Sequence, residues 1–296
     1  KKAKTRRGKK ALERRAPLVN ENVKSAMFLR GPSTDATIVQ CLKDLAAMKK
    51  PDCFQYSRKT DVRPFVDETS LQYYARKSDC SLFAYGSSSK KRPSNLILGR
   101  LHNYEVLDMV EFGVEQFRSL TSFSGQNKSA VGSKPCFVLD GPLWTMNERF
   151  ELIGNLIVDF FRGVELKKVN LAGLDHVIVL SVVNETKILF RHYGIVLKKS
   201  GTKVPRVELE EIGPHFDLTL RREQMAPESV RRVALRVPQE VRGKKRKNVT
   251  TNVFGEQIGR IHMPRQDLGT LRTNITKQDT KRRKKASAQQ TKISSE

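Results

Sequence analysis

The residues in this sequence that are best suited to chemistry are closely spaced lysines and arginines. A guanidinium group pairs with phosphate oxygens through two hydrogen bonds and stacks on bases, so clustered arginines indicate a phosphate-bearing ligand. Between the two ends of the chain, the candidates for RNA contact are Lys90-Lys91-Arg92, Arg221-Arg222 and Arg231-Arg232. The first group lies in the loop GSSSKKRPS, where it either reaches phosphates or only solvates the tip of a hairpin. The sequence therefore predicts an RNA-binding surface built from these side chains.

The C-terminal region continues the same chemistry. Its candidates for RNA contact are Lys244, Lys245, Arg246, Lys247, Arg260, Arg265 and Arg272. The runs 244–247 and 281–285 are also typical of nuclear import signals, which favours a nuclear protein. The aromatic residues are few and fit core positions, with no evident base-stacking platform. Recognition of structured RNA by backbone and shape is therefore favoured over reading of individual bases.

The charge of the chain is concentrated in two strongly basic arms. The 296 residues carry a formal net charge of +25. Residues 1–15 contribute +8 and residues 236–296 contribute +11, which leaves +6 for the 220 residues between them. Such arms suit a polyanion, because lysines and arginines release counterions from phosphates. A membrane surface is a weaker alternative because neither arm has a bulky apolar face. Arms that only keep the chain soluble are another alternative.

Sequence motifs for catalysis are absent. The chain contains no G-x-G-x-x-G, P-loop, H-E-x-x-H or G-x-S-x-G pattern. The dipeptides Gly31-Pro32 and Gly141-Pro142 fit strand-to-helix turns better than phosphate loops, because proline suits the first turn of a helix. The sequence therefore predicts no enzyme activity, no metal and no cofactor.

Two features leave a choice of interpretation. His215 could be polarised by Asp217 or by the nearby glutamates, although a surface turn residue is the simpler interpretation. The acidic residues Glu208, Glu210 and Glu211 either recruit a metal ion or form a strand edge that faces a basic partner or the chain's own arginines, and the strand edge is favoured.

The four cysteines predict reduced thiols. They show no C-x-x-C pairing and no histidine at metal-ligand spacing, so neither a zinc site nor a disulfide framework is expected. No stretch approaches the roughly 20 apolar residues that a membrane span needs. The first residues lack the apolar core of a signal peptide. We therefore expect an intracellular protein that has no membrane partner.

The elements that must position the cations centre on a predicted β-hairpin over residues 206–222. Apolar and polar residues alternate after a Gly213-Pro214 turn, which is the pattern of a half-buried strand. The apolar positions of the hairpin are Val207, Leu209, Ile212, Phe216, Leu218 and Leu220. The hairpin ends on Arg221-Arg222, and a short basic helix is predicted over 228–237. If that helix packs beside the hairpin, its two arginines share one rim with this pair.

A repeated order of elements indicates an α/β fold of two halves. In each half, an apolar strand ends at a Gly-Pro dipeptide and precedes a helix and a run of strands. The first helix is predicted over about residues 35–49. The second is predicted to begin at a capping box of Thr145 and Glu148 and to reach about Arg162. The predicted parts are a basic N-terminal arm (1–22), a first half (23–118), a linker (119–134), a second half (135–237) and a basic tail (238–296).

The two arms lack the pattern of an independent fold. Residues 1–15 have no apolar stripe, so we expect them to become helical only on a partner. The tail keeps scattered apolar residues among glycines, and these are the predicted anchors for a partner protein. The anchors are Phe254, Ile258, Ile261, Leu268 and Leu271. Residues 280–296 are expected to be disordered.

As a whole string, Ile-Gly-Pro-x-Phe-x-Leu-x-Leu-Arg-Arg at residues 212–222 resembles the signature that closes the Brix domain of ribosome assembly factors. The resemblance covers about residues 23–237. The opening KKAKTRRGKKALERRAPLVNEN, the stretch FLRGPSTD and the tail motif FGEQIGRIHMPRQDLGTLRT favour one branch of that family.

The resemblance implies a fold and a role that the composition alone does not give. It implies a Brix domain of two pseudo-symmetric halves, each resembling the anticodon-binding domain of class IIa aminoacyl-tRNA synthetases. It also implies a nucleolar, non-enzymatic role in assembly of the large ribosomal subunit, with contacts to 5S rRNA and large-subunit rRNA. The implied protein partners are the regulator of ribosome synthesis, as an obligate heterodimer, and ribosomal proteins uL18 and uL5. No small-molecule substrate is implied.

Two other classes of function remain open from the sequence. An integral ribosomal protein would occur in mature subunits, whereas an assembly factor occurs only in precursors. An RNA-processing enzyme would need a metal or nucleotide site, for which the sequence offers no motif.

Overall fold

A mixed β-sheet of ten strands organises the larger of two structural units in a computed structural model of the chain. The structure describes residues 3–14, 22–123, 129–164, 166, 169–170, 173–202, 204–237, 247–252, 254, 256–261, 263 and 277–293. The units are Lys1–Val241 and Arg242–Glu296.

The larger unit contains the following elements in chain order. The first set is α1 (Arg6–Arg14), β1 (Ala26–Arg30), α2 (Ala36–Lys49), β2 (Cys53–Lys59), α3 (Thr69–Ser78), β3 (Leu82–Ser87), β4 (Asn95–His102) and β5 (Glu105–Arg118). A 3-10 turn at Leu120–Ser122 follows. The second set is β6 (Cys136–Asp140), α4 (Leu143–Met146), α5 (Glu148–Phe161), β7 (His176–Asn184), β8 (Lys187–Lys198), β9 (Arg206–Glu211), β10 (His215–Gln224) and α6 (Glu228–Ala234).

The sheet runs without interruption across both sets of strands. Its order is β2-β1-β3-β4-β5-β10-β8-β7-β6, and β9 also pairs with β8. The predicted hairpin over residues 206–222 is wrong, because β9 pairs with residues 193–198 of β8 and β10 pairs with residues 187–190 of the same strand. The two strands therefore follow one another along β8. The pairs β1–β2, β1–β3 and β6–β7 are parallel, and the remaining pairs are antiparallel. The strands of residues 26–118 meet those of residues 136–224 where β5 pairs with β10. The last strand of this sheet in chain order therefore lies in its middle. The α/β class is confirmed, whereas pseudo-symmetry of the halves, their likeness to anticodon-binding domains and the five predicted parts stay predictions.

The helix predicted over about residues 35–49 is confirmed as α2, and the local sequence explains its bounds. The Asp35 side chain accepts a hydrogen bond of 3.2 Å from the amide of Ile38, which caps α2 at its N-terminus. Ile38, Leu42 and Leu45 repeat at helical spacing and are buried against the sheet. The helix ends before Pro51, as the sequence predicts.

The predicted start of the second long helix is wrong. Thr145 lies in the separate short helix α4, and the residue that caps α5 is Asn147, whose side chain accepts from the amide of Arg149 at 3.0 Å. The separation has a physical cause, because the indole of Trp144 donates to the carbonyls of Asp140 and Leu180. This anchor holds α4 against the sheet and makes the chain turn again before α5.

The core lies mainly on one face of the sheet, where both long helices pack. α2 and α5 contribute to the same apolar cluster, in which the rings of Phe28 and Phe160 meet edge to face at 5.9 Å. On the opposite face α3 covers the first half through a second cluster that includes Leu71 and Ala75.

The opposite face of the sheet in the second half stays partly exposed. Cross-strand pairing places an apolar set of side chains together there, and each stays at least partly exposed. This set, which we term the open face, consists of Val138, Val179, Leu189, Tyr193, Ile195, Leu197, Val207 and Leu209. Arg191 and Lys187 lie beside it and hold the carboxylate of Asp217 at 2.7 and 2.9 Å.

The smaller unit contains a short hairpin and a helix. Its described elements are β11 (Val249–Thr251), β12 (Gln257–Gly259) and α7 (Lys277–Ile293). The prediction that residues 280–296 are disordered is therefore wrong as far as Ile293. The sequence of α7 is rich in Lys, Arg, Gln and Ala and contains neither glycine nor proline, so local propensity favours a helix without an apolar face. The same holds for α1, which is helical without a partner chain.

Candidate RNA-binding surface

A β-bulge at the end of β10 sets the direction of the Arg221-Arg222 pair. The register of β10 against β5 shifts between Leu220 and Arg222, so Arg221 is the extra residue. As a result, both arginines contact the same side of the sheet, where Glu111 and the site above Gly113 lie.

Arg222 is held by a buried carboxylate and an aromatic ring. Its Nε donates to Glu111, whose side chain is 0% exposed. The guanidinium carbon of Arg222 lies 4.2 Å from the centroid of the Phe65 ring, a cation–π distance. The same carboxylate also lies 3.7 Å from Nε of Arg92. Arg222 therefore neutralises a charge inside the fold.

Arg221 forms hydrogen bonds that hold the loop between β3 and β4 against the sheet. It donates to the side-chain oxygen of Asn95 at 2.9 Å and to the carbonyl of Pro93 at 2.8 Å. The guanidinium lies above Gly113, where a Cβ atom would come within 2.6 Å of Nη2. Glycine at this position therefore makes room for the arginine.

These contacts bring two predicted cation groups into one site. Lys90, Lys91, Arg92, Arg221 and Arg222, which we term the loop–arginine cluster, meet around Glu111 and the β3–β4 loop. Lys90 and Lys91 are exposed at its outer side. Because the two arginines already bond within the protein, the lysines carry most of the charge that this cluster offers to a phosphate.

The structure does not bring the arginines of α6 into this cluster. Arg232 pairs with Glu228 at 2.7 Å on the helix surface. Arg231 instead lines a separate groove of about 500 Å³, together with Lys24, Arg100 and Asp159. The rim shared by both arginine pairs is therefore not formed.

The tail candidates are only partly described. Lys247 and Arg260 are exposed in the smaller unit. Of the predicted partner anchors, Phe254 is 86% exposed, Ile258 51% and Ile261 87%. The remaining candidates, Lys244, Lys245, Arg246, Arg265, Leu268, Leu271 and Arg272, lie outside the described residues.

The histidine singled out by the sequence contacts one of the nearby glutamates. His215 bonds through Nδ1 to Glu211, the last residue of β9. Asp217 faces Arg191 and Lys187 instead. Although burial raises the pKa of Asp217, the hydrogen bonds from these two cations lower it overall. Within the described residues, no group of three or more histidine, cysteine, aspartate or glutamate side chains is placed to hold a metal ion.

A buried histidine lies where the end of the first half meets the second half. His192 borders a pocket of about 240 Å³ and bonds through Nδ1 to the carbonyl of Gly213. Burial lowers the pKa of His192 to about 4, although the bond to Gly213 raises it. The ring is therefore neutral at physiological pH, so Nδ1 is the donor.

Sequence reasoning missed a row of aromatic rings at the edge of the sheet. Phe54, Tyr56, Tyr74 and Tyr73 follow one another with centroid separations of 5.0, 5.0 and 5.5 Å. The i, i+2 spacing of Phe54 and Tyr56 was the available signal, but residues 53–59 were not recognised as a strand. We term these four residues the aromatic row.

Comparisons with known proteins decide the family. The Brix domain profile matches residues 31–222, most of the ten-stranded sheet. The chain belongs to the Brix family. Its relatives include ribosome production factor 2 homologues from Mus musculus, Drosophila melanogaster and Schizosaccharomyces pombe, which are 45%, 39% and 41% identical. The alignments cover 88%, 99% and 93% of this chain and 84%, 92% and 89% of those proteins. The tail predicted membership of this branch of the Brix family, and the relatives confirm it.

A solved structure described as a probable ribosomal biogenesis protein from Aeropyrum pernix K1 also aligns with the chain. It is 12% identical, covers 69% of this chain and 99% of that chain, and gives a TM-score of 0.45. The Brix assignment therefore rests on the sequence relatives, and it places this chain among ribosome biogenesis factors. Among the described residues, no helix is long and apolar enough to cross a membrane.

We predict that Arg222 matters for the stability of the Brix domain. Arg222→Met should lower the free energy of unfolding by about 3 kcal/mol, because it leaves the buried Glu111 carboxylate poorly compensated. Urea denaturation measures this loss. Arg222→Met combined with Glu111→Leu should recover part of it, since the buried charge is then removed as well.

The matched control is Arg232→Met, which removes an exposed ion pair and should change the unfolding midpoint very little. Equal effects of the two single substitutions would contradict the assignment of Arg222 to the fold.

We predict that His192 makes the Brix domain sensitive to acid. The folded chain keeps this ring neutral down to about pH 4, whereas the unfolded chain binds a proton near pH 6.5. Stability is therefore complete above pH 6.5 and falls by about 3 kcal/mol as the pH drops toward 4. Denaturant titrations at several pH values measure this dependence.

In His192→Asn that part of the pH dependence should disappear, because asparagine keeps a donor for Gly213 but does not titrate. His102→Asn, at an exposed histidine, is the control and should keep the parent dependence. The account of His192 is wrong if its variant remains as acid-sensitive as the parent.

Proposed function

We propose that this chain is a non-enzymatic ribosome assembly factor that binds rRNA and, together with a protein partner, recruits the 5S RNA particle to the pre-60S large subunit. The proposed partners are 5S rRNA, large-subunit rRNA, the regulator of ribosome synthesis as heterodimer partner, and ribosomal proteins uL18 and uL5. The proposed site of action is the nucleolus. No cofactor or small-molecule substrate takes part.

One observation carries the proposal. The ribosome production factor 2 homologue from Drosophila melanogaster aligns with 99% of this chain, so its resemblance extends over the basic arms as well as the Brix domain. The resemblance thus includes the parts of the chain that hold most of its charge.

The charges support RNA as the ligand. Residues 238–296 hold fifteen Lys/Arg and five Asp/Glu, and α1 adds cations at the other end. In the described part of the tail Lys247 and Arg260 are exposed, as are Lys90 and Lys91 of the loop–arginine cluster. Exposed cations exchange counterions with phosphates without disturbing the fold. We therefore assign phosphate contacts to the arms and to the lysines of the cluster.

The open face supports a protein partner. Exposed apolar side chains there include Leu197, Val207 and Leu209, which are 44%, 57% and 51% exposed. A sheet face of this kind gains stability when a partner removes it from water. The ion pairs of Asp217 at its border would lie at the polar rim of such an interface. The tail anchors Phe254, Ile258 and Ile261 offer a second apolar contact for the partner, and Leu268 and Leu271 are proposed to join them.

Binding of 5S RNA across a salt series tests the proposal. The full chain should bind 5S RNA more tightly than a structured RNA of the same size. A chain that ends at Val237 should bind more weakly and show a flatter salt dependence, by about 0.9 in slope for each lost phosphate contact. Equal binding of both RNAs by both chains would contradict the proposal. The chain would then show no preference for 5S RNA, and the tail would make no contribution to the affinity.

A further inference from the structure

The aromatic row is presented rigidly at an edge of the sheet. β2 is the terminal strand of the described sheet, and α3 packs beside it. Tyr56 and Tyr74, the two inner rings, are half-buried and pack on the apolar cluster around Leu71. The outer rings, Phe54 and Tyr73, are 49% and 60% exposed. The two inner rings are therefore held by packing, and the two outer rings are accessible to a ligand.

The rings have cations near them in the chain. Arg58 follows Phe54 and Tyr56 on β2, within the stretch where the register of β2 against β1 shifts. Arg76 and Lys77 lie three and four residues after Tyr73, which places them on the same side of α3. These three cations are exposed. Exposed positive charges thus lie close in the chain to both exposed rings.

We propose that the aromatic row is a stacking platform for unpaired RNA bases, with Phe54 and Tyr73 contacting base faces and Arg58, Arg76 and Lys77 contacting the flanking phosphates. The inference rests on the proposed RNA-binding function and adds a second, single-stranded mode of contact to it. Aromatic rings interleaved with cations are the pattern of single-strand binding surfaces, because every base has a face that can stack.

Charge complementarity favours RNA over a protein as the occupant. The apolar open face has few free charges among its side chains, whereas each exposed ring of the aromatic row has a cation within four residues. A phosphodiester chain supplies one negative charge per base, which matches this spacing of rings and cations. The loop–arginine cluster lacks such exposed rings, since its one aromatic contact, Phe65, is covered by Arg222.

The test uses the full chain and a single-stranded oligoribonucleotide that contains 2-aminopurine, with a duplex of the same sequence for comparison. Phe54→Leu and Tyr73→Leu each remove a ring and keep an apolar side chain. Each should weaken binding of the single strand by roughly tenfold and reduce the quenching of 2-aminopurine. Binding of the duplex should not change.

Salt series separate stacking from charge. The ring variants should leave the slope of log K against log salt unchanged, because no phosphate contact is lost. Arg58→Gln and Arg76→Gln should each flatten the slope by about 0.7. The control is Met146→Ala, which removes an exposed apolar side chain on α4 and should bind RNA like the parent. Phe54→Tyr and Tyr73→Phe retain a ring and should retain the affinity, which separates loss of stacking from misfolding.

The outcomes distinguish this proposal from the proposed function. If the parent chain binds RNA and both leucine variants bind the single strand equally well, the platform is overturned and the assembly-factor function stands. If the leucine variants lose a protein partner but no RNA affinity, the row is a protein-docking surface and the platform is likewise overturned. If the parent chain binds no RNA at all, both proposals fall.

Discussion

The pairing of β5 with β10 is the interaction on which the rest of the structure depends. It joins the strands of residues 26–118 to those of residues 136–224, so that one sheet and one core serve both. Side chains reinforce this seam at three points. Thr219 donates to Glu115 at 2.8 Å, Arg221 bonds to Asn95, and Arg222 pairs with the buried Glu111. The bulge after Leu220 is what allows both arginines to take part.

The contacts at this seam also determine which cations of the chain are available to bind phosphate. Guanidinium groups committed to Glu111, Asn95 and Pro93 have few donors left for a phosphate. Among the described residues, exposed cations include those on the β3–β4 loop, on β2 and α3, on α6 and in the two arms. We therefore propose that RNA contacts lie around the edges of the Brix domain and that a protein partner covers the open face of the second half.

Sequence reasoning succeeded where local chemistry decides the structure. The Asp35 cap, the alternating strand that forms β10 and the Brix signature all depend on residues close together in the chain, and the family is confirmed by its relatives. It failed where tertiary contacts decide. Thr145 does not cap α5, because Trp144 anchors the separate helix α4. Arg222 and Glu111, which form an ion pair, lie 111 residues apart, and no local pattern connects them. The aromatic row was missed because β2 is an edge strand with mostly exposed residues and without a long apolar run.

The most direct test of this account asks whether the two halves unfold together. Trp144, the single tryptophan, is buried in the second half, whereas Cys41 and Cys80 are buried in the first. In a chain with Cys53 and Cys136 replaced by serine, urea unfolding can be followed by Trp144 fluorescence and by labelling of the two remaining thiols. The shared sheet predicts that both probes report the same midpoint and the same slope. Two separate transitions would contradict the claim that the β5–β10 seam makes the halves one cooperative unit.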